Sequence, residues 1–252
     1  MANFLKIILV GSILLNLIAL WGYFHYVKYG GNPLGELKRK LTGSSEQSNP
    51  PIPFSEENAR ILKEVADGKT DSLRVVFYGA SITRRWNLNQ YFSEIHTVNR
   101  GVGGYVSDLM IRYKSNVLDL KPRAVVIKFC SINIRPQFPI ATLQDGMQMM
   151  VQLAKDNGII PILATIIPPG KPEAQIGNFS VIDTLKMFNN WVRDYAKSNA
   201  IPLVDYAADI QNAEGFLPMD CSVDPVHVSE KGYAIMAKTA RPVIYSALGL
   251  NQ

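Results

Sequence analysis

Apolar positions follow two regimes along the chain. Ile7 to Phe24 carries no charged residue and is dominated by Ile, Leu and Val. About 20 apolar residues span a bilayer core as a helix, so the stretch predicts one N-terminal transmembrane anchor within residues 1–29. Trp21, Tyr23 and Tyr26 gather at its end, where amphipathic rings favour the membrane interface. A cleaved signal peptide is the rival reading. Against it, bulky Leu20, Trp21, Tyr23 and Phe24 fill the zone where a small-residue cleavage site belongs. Residues 30–53 are rich in Gly, Ser, Asn and Pro and end in Asn49-Pro50-Pro51-Ile52-Pro53. That composition cannot bury a core and reads as a flexible linker.

From Phe54 the second regime begins. Short apolar runs at Leu73–Tyr78, His96–Asn99, Ala124–Phe129, Ile159–Thr165 and Ile201–Asp205 read as strands. Helical periodicity marks Val106–Leu120, Leu143–Asn157, Val181–Ser198 and Ser229–Leu248. Strands this short and apolar suit a parallel sheet covered on both faces. The predicted fold of residues 54–252 is a three-layer α/β/α sandwich with about five strands.

Charge changes the picture little. The net charge is +5, and residues 1–52 already hold five basic side chains (Lys6, Lys28, Lys38, Arg39, Lys40) against Glu36 and Glu46. The excess is therefore concentrated near the N-terminus, which argues against a nucleic-acid-binding face on the folded part. Orientation is less direct. Counted literally, the positive-inside rule places the domain in the cytoplasm, whereas an anchor placed directly before a whole enzyme domain more often exports it. The expectation taken here is an exported, extracytoplasmic domain.

Ligands of open parallel sheets bind beyond the carboxyl ends of the strands, so the loops after each strand carry the candidate chemistry. After the first strand stands Gly79-Ala80-Ser81-Ile82-Thr83, a serine leaving a strand on a glycine-containing turn. After the second stands Asn99-Arg100-Gly101-Val102-Gly103-Gly104, whose glycines let backbone N–H groups approach a ligand. After the third comes Ser131-Ile132-Asn133-Ile134, with an amide able to cap a helix or donate to an oxyanion. Near the C-terminus, Asp224-Pro225-Val226-His227 precedes a helix, at a spacing that puts a carboxylate within reach of the imidazole Nδ1. Each segment alone has an ordinary structural explanation: a turn, an N-cap, a salt link. In conjunction they supply a nucleophile, a base, an orienting acid and oxyanion donors.

In these four segments, with Gly232 and Tyr233 following the last, the chain resembles the SGNH hydrolases, also called GDSL-like esterases and lipases. The resemblance runs from about Leu73 to the C-terminus and is most specific in its last block. It implies Ser81 as nucleophile and His227 as general base with Asp224 as its partner. It also implies the Ser81 and Gly104 N–H groups and the Asn133 amide as oxyanion donors. No metal or cofactor is implied, and the substrate would be a small acyl ester, an acylated glycan or a lipid. Ala80, Tyr105, Ser131 and Ile134 depart from the usual motif residues, which leaves substrate preference open. An O-acyltransferase would use the same residues. Outside enzymes, the alternative is a non-catalytic, membrane-tethered binding protein on this fold.

Other residues carry lesser expectations. Arg84, Arg85, Arg100 and Arg135 lie close to the oxyanion segments. They predict an electropositive cleft mouth, with Arg84, Arg100, Tyr105 and Arg135 touching substrate, unless they simply face solvent. Trp86 is either core or a sugar-stacking wall. His25 and His96 read as interfacial or structural. A metal site built on Asp220, Asp224 and His227 lacks a supporting ligand cluster. Cys130 and Cys221 would pair only if exported and otherwise read as buried thiols.

Overall fold

The computed structural model describes residues 54–69, 71–103 and 106–250. The anchor expected over 1–29, the linker over 30–53, and Gly104 and Tyr105 lie outside the described residues. Among those described, no helix is long and apolar enough to cross a membrane.

Five strands form one parallel sheet: β1 (Arg74–Gly79), β2 (His96–Gly101), β3 (Ala124–Lys128), β4 (Ile160–Ala164) and β7 (Leu203–Val204). Their order is β2-β1-β3-β4-β7. The sheet therefore reverses its direction of growth between β1 and β3, the topological position at which parallel sheets open a ligand crevice. All six residues of β1 and all five of β3 are buried, as strands covered on both faces must be. A separate antiparallel pair, β5 (Gln175–Ile176) with β6 (Phe179–Ser180), lies outside the main sheet.

Alternation along the strands feeds two cores. Val76, Tyr78, Val125, Ile127 and Leu163 face one layer, made by α1 (Ser55–Ala66), α4 (Val106–Asn116), α5 (Ile140–Asp156) and α6 (Val181–Ser198). Helix α6 shows why it belongs there: Val181, Leu185, Phe188, Val192 and Ala196 recur at helical spacing and are all buried. Val75, Phe77, Ala124, Val126 and Ile162 face the opposite layer. That layer comprises the short turns α2 (Ser81–Arg84) and α3 (Leu88–Tyr91), then α7 (Tyr206–Ile210) and α8 (Glu230–Leu248). The three-layer α/β/α architecture with five parallel strands is thus as the periodicity predicts.

Differences cluster at the ends of elements. The helix expected over Val106–Leu120 stops at Asn116, and Leu118–Leu120 forms a separate 3-10 turn. Helix α1, although amphipathic, and helix α7 were not among the expected helices, the second because five residues are too few to show a period. At the carboxyl edge of the sheet, polar side chains pin the loops. Asn189 is buried in α6 and clamps Ile166 through two 2.8 Å bonds, donating to its carbonyl and accepting from its N–H. The Thr165 hydroxyl donates to Asp205 at 3.0 Å and accepts from the Ala207 N–H at 2.9 Å. The loop after β4 is held at both sides by these contacts.

Candidate active site

Ser81 opens α2 directly after β1, so its side chain leaves the sheet at the reversal point of strand order. The turn that carries it packs unusually close to β2. A Cβ at Gly101 would lie 2.0 Å from the Arg84 nitrogen and 2.6 Å from the Thr83 carbonyl carbon, so only glycine permits this approach. Asn99 then staples the two elements. Its Nδ2 donates to the carbonyls of Thr83 (2.7 Å) and Trp86 (3.1 Å), and its Oδ1 accepts from the Gly101 N–H (2.9 Å). From the far side, the Tyr233 hydroxyl of α8 donates to the Ile82 carbonyl at 2.8 Å.

His227 arrives on a tight loop before α8. The Val223 N–H donates to the His227 carbonyl (2.9 Å), and Ser222 and Val228 form an antiparallel bridge. Asp224 organises the tip: its Oδ1 accepts from the Val226 and His227 N–H groups, both at 2.8 Å. The same carboxylate meets His227 Nδ1 at 2.8 Å through Oδ2 and 3.0 Å through Oδ1. On the other side of the ring, Nε2 stands 2.9 Å from the Ser81 hydroxyl oxygen, across 146 residues of sequence. With the Nδ1 proton directed at the carboxylate, Nε2 is the free acceptor facing a hydroxyl, the arrangement general-base activation of an alcohol requires.

Asp224 is burial-opposed, since desolvation raises its pKa. The Val226 amide, the His227 ring and the His227 amide together outweigh this and hold the carboxyl below its ordinary value. It is therefore ionised at neutral pH. Arg85, expected only as part of an electropositive mouth, is a further neighbour of this carboxylate. Arg85, four residues beyond Ser81 and so on the same helical face, brings Nη1 to 3.8 Å from Asp224 Oδ2. The i,i+4 spacing was the signal available.

Asn133 sits in the 3-10 turn Ser131–Asn133 after β3 and is completely buried. Its Oδ1 accepts the Cys130 N–H at 2.9 Å, which fixes the amide plane. Among the described residues, its buried Nδ2 has no hydrogen-bond partner. A buried, unpaired donor costs about 1–3 kcal/mol, a cost typical of groups kept for a ligand. Gly104, the other expected donor besides Ser81, lies outside the described residues, as does Tyr105.

The arginine expectations need correction. Arg100 does not reach the cleft mouth: its side chain is fully buried, bonded to Asn58 Oδ1 (2.6 and 3.1 Å) and Glu57 (2.7 Å) of α1. An isolated buried cation is prohibitive, and these partners are what make it tolerable. Arg135 turns back onto its own loop, donating to the Ser131 and Ile134 carbonyls. Arg85 faces Asp224. Among the described residues, Arg84 alone of the four is exposed without an ion pair. Of the four, Arg100 is thus withdrawn from the cleft, while Arg84 and Arg85 remain exposed beside the turn that carries Ser81.

Trp86 belongs to the core, 4% exposed and stacked on Tyr233 at 5.7 Å between ring centroids, and is no sugar wall. His96 is structural, linking β2 to Asp71. Cys130 and Cys221 are buried free thiols. Asp220 pairs with Lys231 rather than joining Asp224 and His227, and among the described residues no cluster of His, Cys, Asp or Glu is arranged to hold a metal ion.

Comparison with known proteins places this geometry. The crystal structure of a GDSL-like lipase from Bacteroides thetaiotaomicron is similar with a TM-score of 0.66 and 25% identity, covering 77% of this chain and 96% of that one. An acetyl-xylooligosaccharide esterase from Geobacillus shares the fold (TM-score 0.55, 19% identity, 72% of this chain and 96% of that one). The uncharacterized lipoprotein YqeF of Bacillus subtilis is 24% identical over 207 residues, which covers 64% of this chain and 85% of that protein. A family model described as GDSL-like Lipase/Acylhydrolase matches residues 66–235, and the chain belongs to that family.

Proposed function

We propose that the protein hydrolyses carboxylic esters through a serine acyl-enzyme, with Ser81 as nucleophile, His227 as general base and Asp224 as its orienting acid. One observation carries this reading: the unbroken line from Asp224 through His227 to the Ser81 hydroxyl, with contacts of 2.8 and 2.9 Å. In the first step His227 Nε2 takes the hydroxyl proton as Ser81 Oγ attacks the ester carbonyl. The oxyanion receives hydrogen bonds from Asn133 Nδ2 and from the Ser81 and Gly104 N–H groups. Collapse expels the alcohol, which leaves with the proton held on Nε2. Water then repeats the sequence on the acyl-enzyme and releases the acid. Asp224 stays ionised throughout and stabilises the imidazolium formed at each step. General acid–base transfer of this kind is worth about 10²–10⁴ in rate.

The chain's own apolar run, Ile7 to Phe24, supports a membrane anchor that holds the domain outside the cytoplasm, and the lipoprotein named among its relatives is in keeping with a surface location. A fluorophosphonate probe tests the chemistry. Wild type is expected to label at Ser81 and to release acid from short esters. Ser81→Ala should do neither, with a loss in kcat of several orders of magnitude, about 10⁶ in comparable sites. Equal labelling of the two proteins would end the proposal.

A further inference from the structure

A groove of about 650 Å³ opens beside Asp224, between the start of the 3-10 turn at Lys171 and the segment running from Asn212 to Pro225. Its walls are fixed to the loop that carries the imidazole. The Gly170 N–H donates to the Pro225 carbonyl at 2.7 Å, and the Leu217 N–H donates to the Pro169 carbonyl at 3.1 Å. Asn189 and Thr165 hold the base of the same loop, as described above. These bonds tie the groove's walls to the loop that carries His227.

Reaction geometry gives the groove a direction. In acyl transfer at Ser81, the carbonyl oxygen turns toward Asn133, and the leaving oxygen must face His227 Nε2 to receive its proton. The alcohol part of the ester then lies on the imidazole's side of the serine, and of the catalytic groups it is Asp224, across the imidazole from Ser81, that lines the groove. The acyl part is left on the other side of the serine.

The chemistry of the lining selects the occupant. Its polar groups are already matched: Lys171 pairs with Glu214 at 3.3 Å and lies 5.9 Å over the Phe216 ring, while the Asp224 carboxylate faces His227 and Arg85. No unpaired charge is left to bind an ionic group. What remains open is apolar. Met219 is 91% exposed and Val223 65%, and both line the groove together with half-buried Phe216. Exposed apolar side chains beside a reacting centre gain stability by covering apolar ligand surface.

We propose that this groove is the leaving-group subsite and takes an uncharged, apolar alcohol, alkyl or aryl. The inference rests on the acyl-transfer reading of Ser81 and His227. Its test is a pair of ester series on the full-length protein: acetates of ethanol, butanol and hexanol, and ethyl esters of acids of the same lengths. In wild type, kcat/KM should climb with alcohol length more steeply than with acyl length. The double substitution Met219→Ser with Val223→Ser should lower the ratio of kcat/KM for hexyl over ethyl acetate about tenfold, a modest apolar discrimination. Because the reading is a ratio, it does not depend on the fraction of active protein, and Phe216→Leu should move it the same way. Selectivity that follows the acyl chain, an unchanged ratio in the variants, or a preference for acetylated sugars over hexyl acetate would overturn the assignment. If Ser81 takes up the fluorophosphonate while one of these results holds, only the subsite is wrong. If Ser81 fails to label and no ester is cleaved, the parent reading falls with it.

Discussion

Gly101→Ala is the substitution in which structure and chemistry are most tightly coupled. The new methyl carbon would stand 2.0 Å from the Arg84 nitrogen, 2.6 Å from its Cα and 2.6 Å from the Thr83 carbonyl carbon. Carbon contacts settle at about 3.5–4.0 Å, so the two elements must separate by about 1.5 Å. All three obstructing atoms are backbone, and no side chain can swing away to absorb the clash. Gly101 is the less free of the two. It sits in register opposite Gly79 in the parallel ladder, and the Asn99 carboxamide holds its N–H at 2.9 Å. The turn α2 lies outside the ladder, held by side-chain bonds from Asn99 and Tyr233, and is expected to yield. Ser81 opens that turn, so its hydroxyl moves off its 2.9 Å contact with His227 and beyond the range of about 2.6–3.2 Å used for proton transfer. A misplacement of about 1 Å is enough for a hundredfold loss. We expect kcat/KM toward p-nitrophenyl acetate to fall about 10²-fold or more, with fluorophosphonate labelling slowed in proportion. Overpacking should also cost about 1–3 kcal/mol, less than a typical domain holds, so circular dichroism should still report a folded protein. A folded Gly101→Ala variant with activity within about threefold of wild type would refute the argument that this close approach sets the position of the nucleophile.

Two further predictions separate roles within the same edge of the sheet. Asn133→Asp keeps an acceptor for the Cys130 N–H but replaces the unpaired donor with an acceptor, so kcat per folded molecule should drop about 10²–10³-fold, and the melting temperature should also fall because the new carboxyl group is fully buried; normal turnover in this variant would remove Asn133 from the oxyanion site. Asp205 accepts bonds from Arg193 at 2.7 and 2.9 Å and from Thr165 at 3.0 Å; burial raises its pKa, but these partners and the Ala208 amide hold it below its ordinary value. A depressed carboxylate adds stability above its unfolded pKa, and that stability is lost as the pH falls through the lower folded value. Asp205→Asn should thus cost about 1.5–3 kcal/mol at neutral pH and flatten the acid limb of the urea-midpoint profile; an acid limb as steep as wild type's would show that this carboxylate does not set it.

What the sequence made legible follows from how locally each feature is encoded. The five strands are runs of apolar residues buried on both faces, and such runs need no knowledge of their neighbours to be read. The Asp224–His227 unit was legible because both groups lie in one loop, three residues apart, with Pro225 restricting the chain between them. The Ser81–His227 contact was not encoded by spacing at all. It spans 146 residues and emerged only because separate segments matched one family pattern. Helix α7 is too short for a period.

Arg100 shows the physical limit most clearly. Its neighbours in sequence, Asn99 and Gly101, both serve the nucleophile turn, and sequence proximity therefore assigned the arginine to the same cleft. Strand alternation sends adjacent side chains to opposite faces, and Arg100 accordingly points away, under α1, where Glu57 and Asn58 receive it. Its partners lie 42 and 43 residues earlier, in a helix whose own position was unread. Removing this charge from the cleft changes the functional argument as well as the map. Arg84 and Arg85 stay exposed beside the nucleophile turn, the second 3.8 Å from Asp224, so only Arg100 is withdrawn from the surroundings of Ser81. The apolar rim at Met219 and Val223 guides which esters to try.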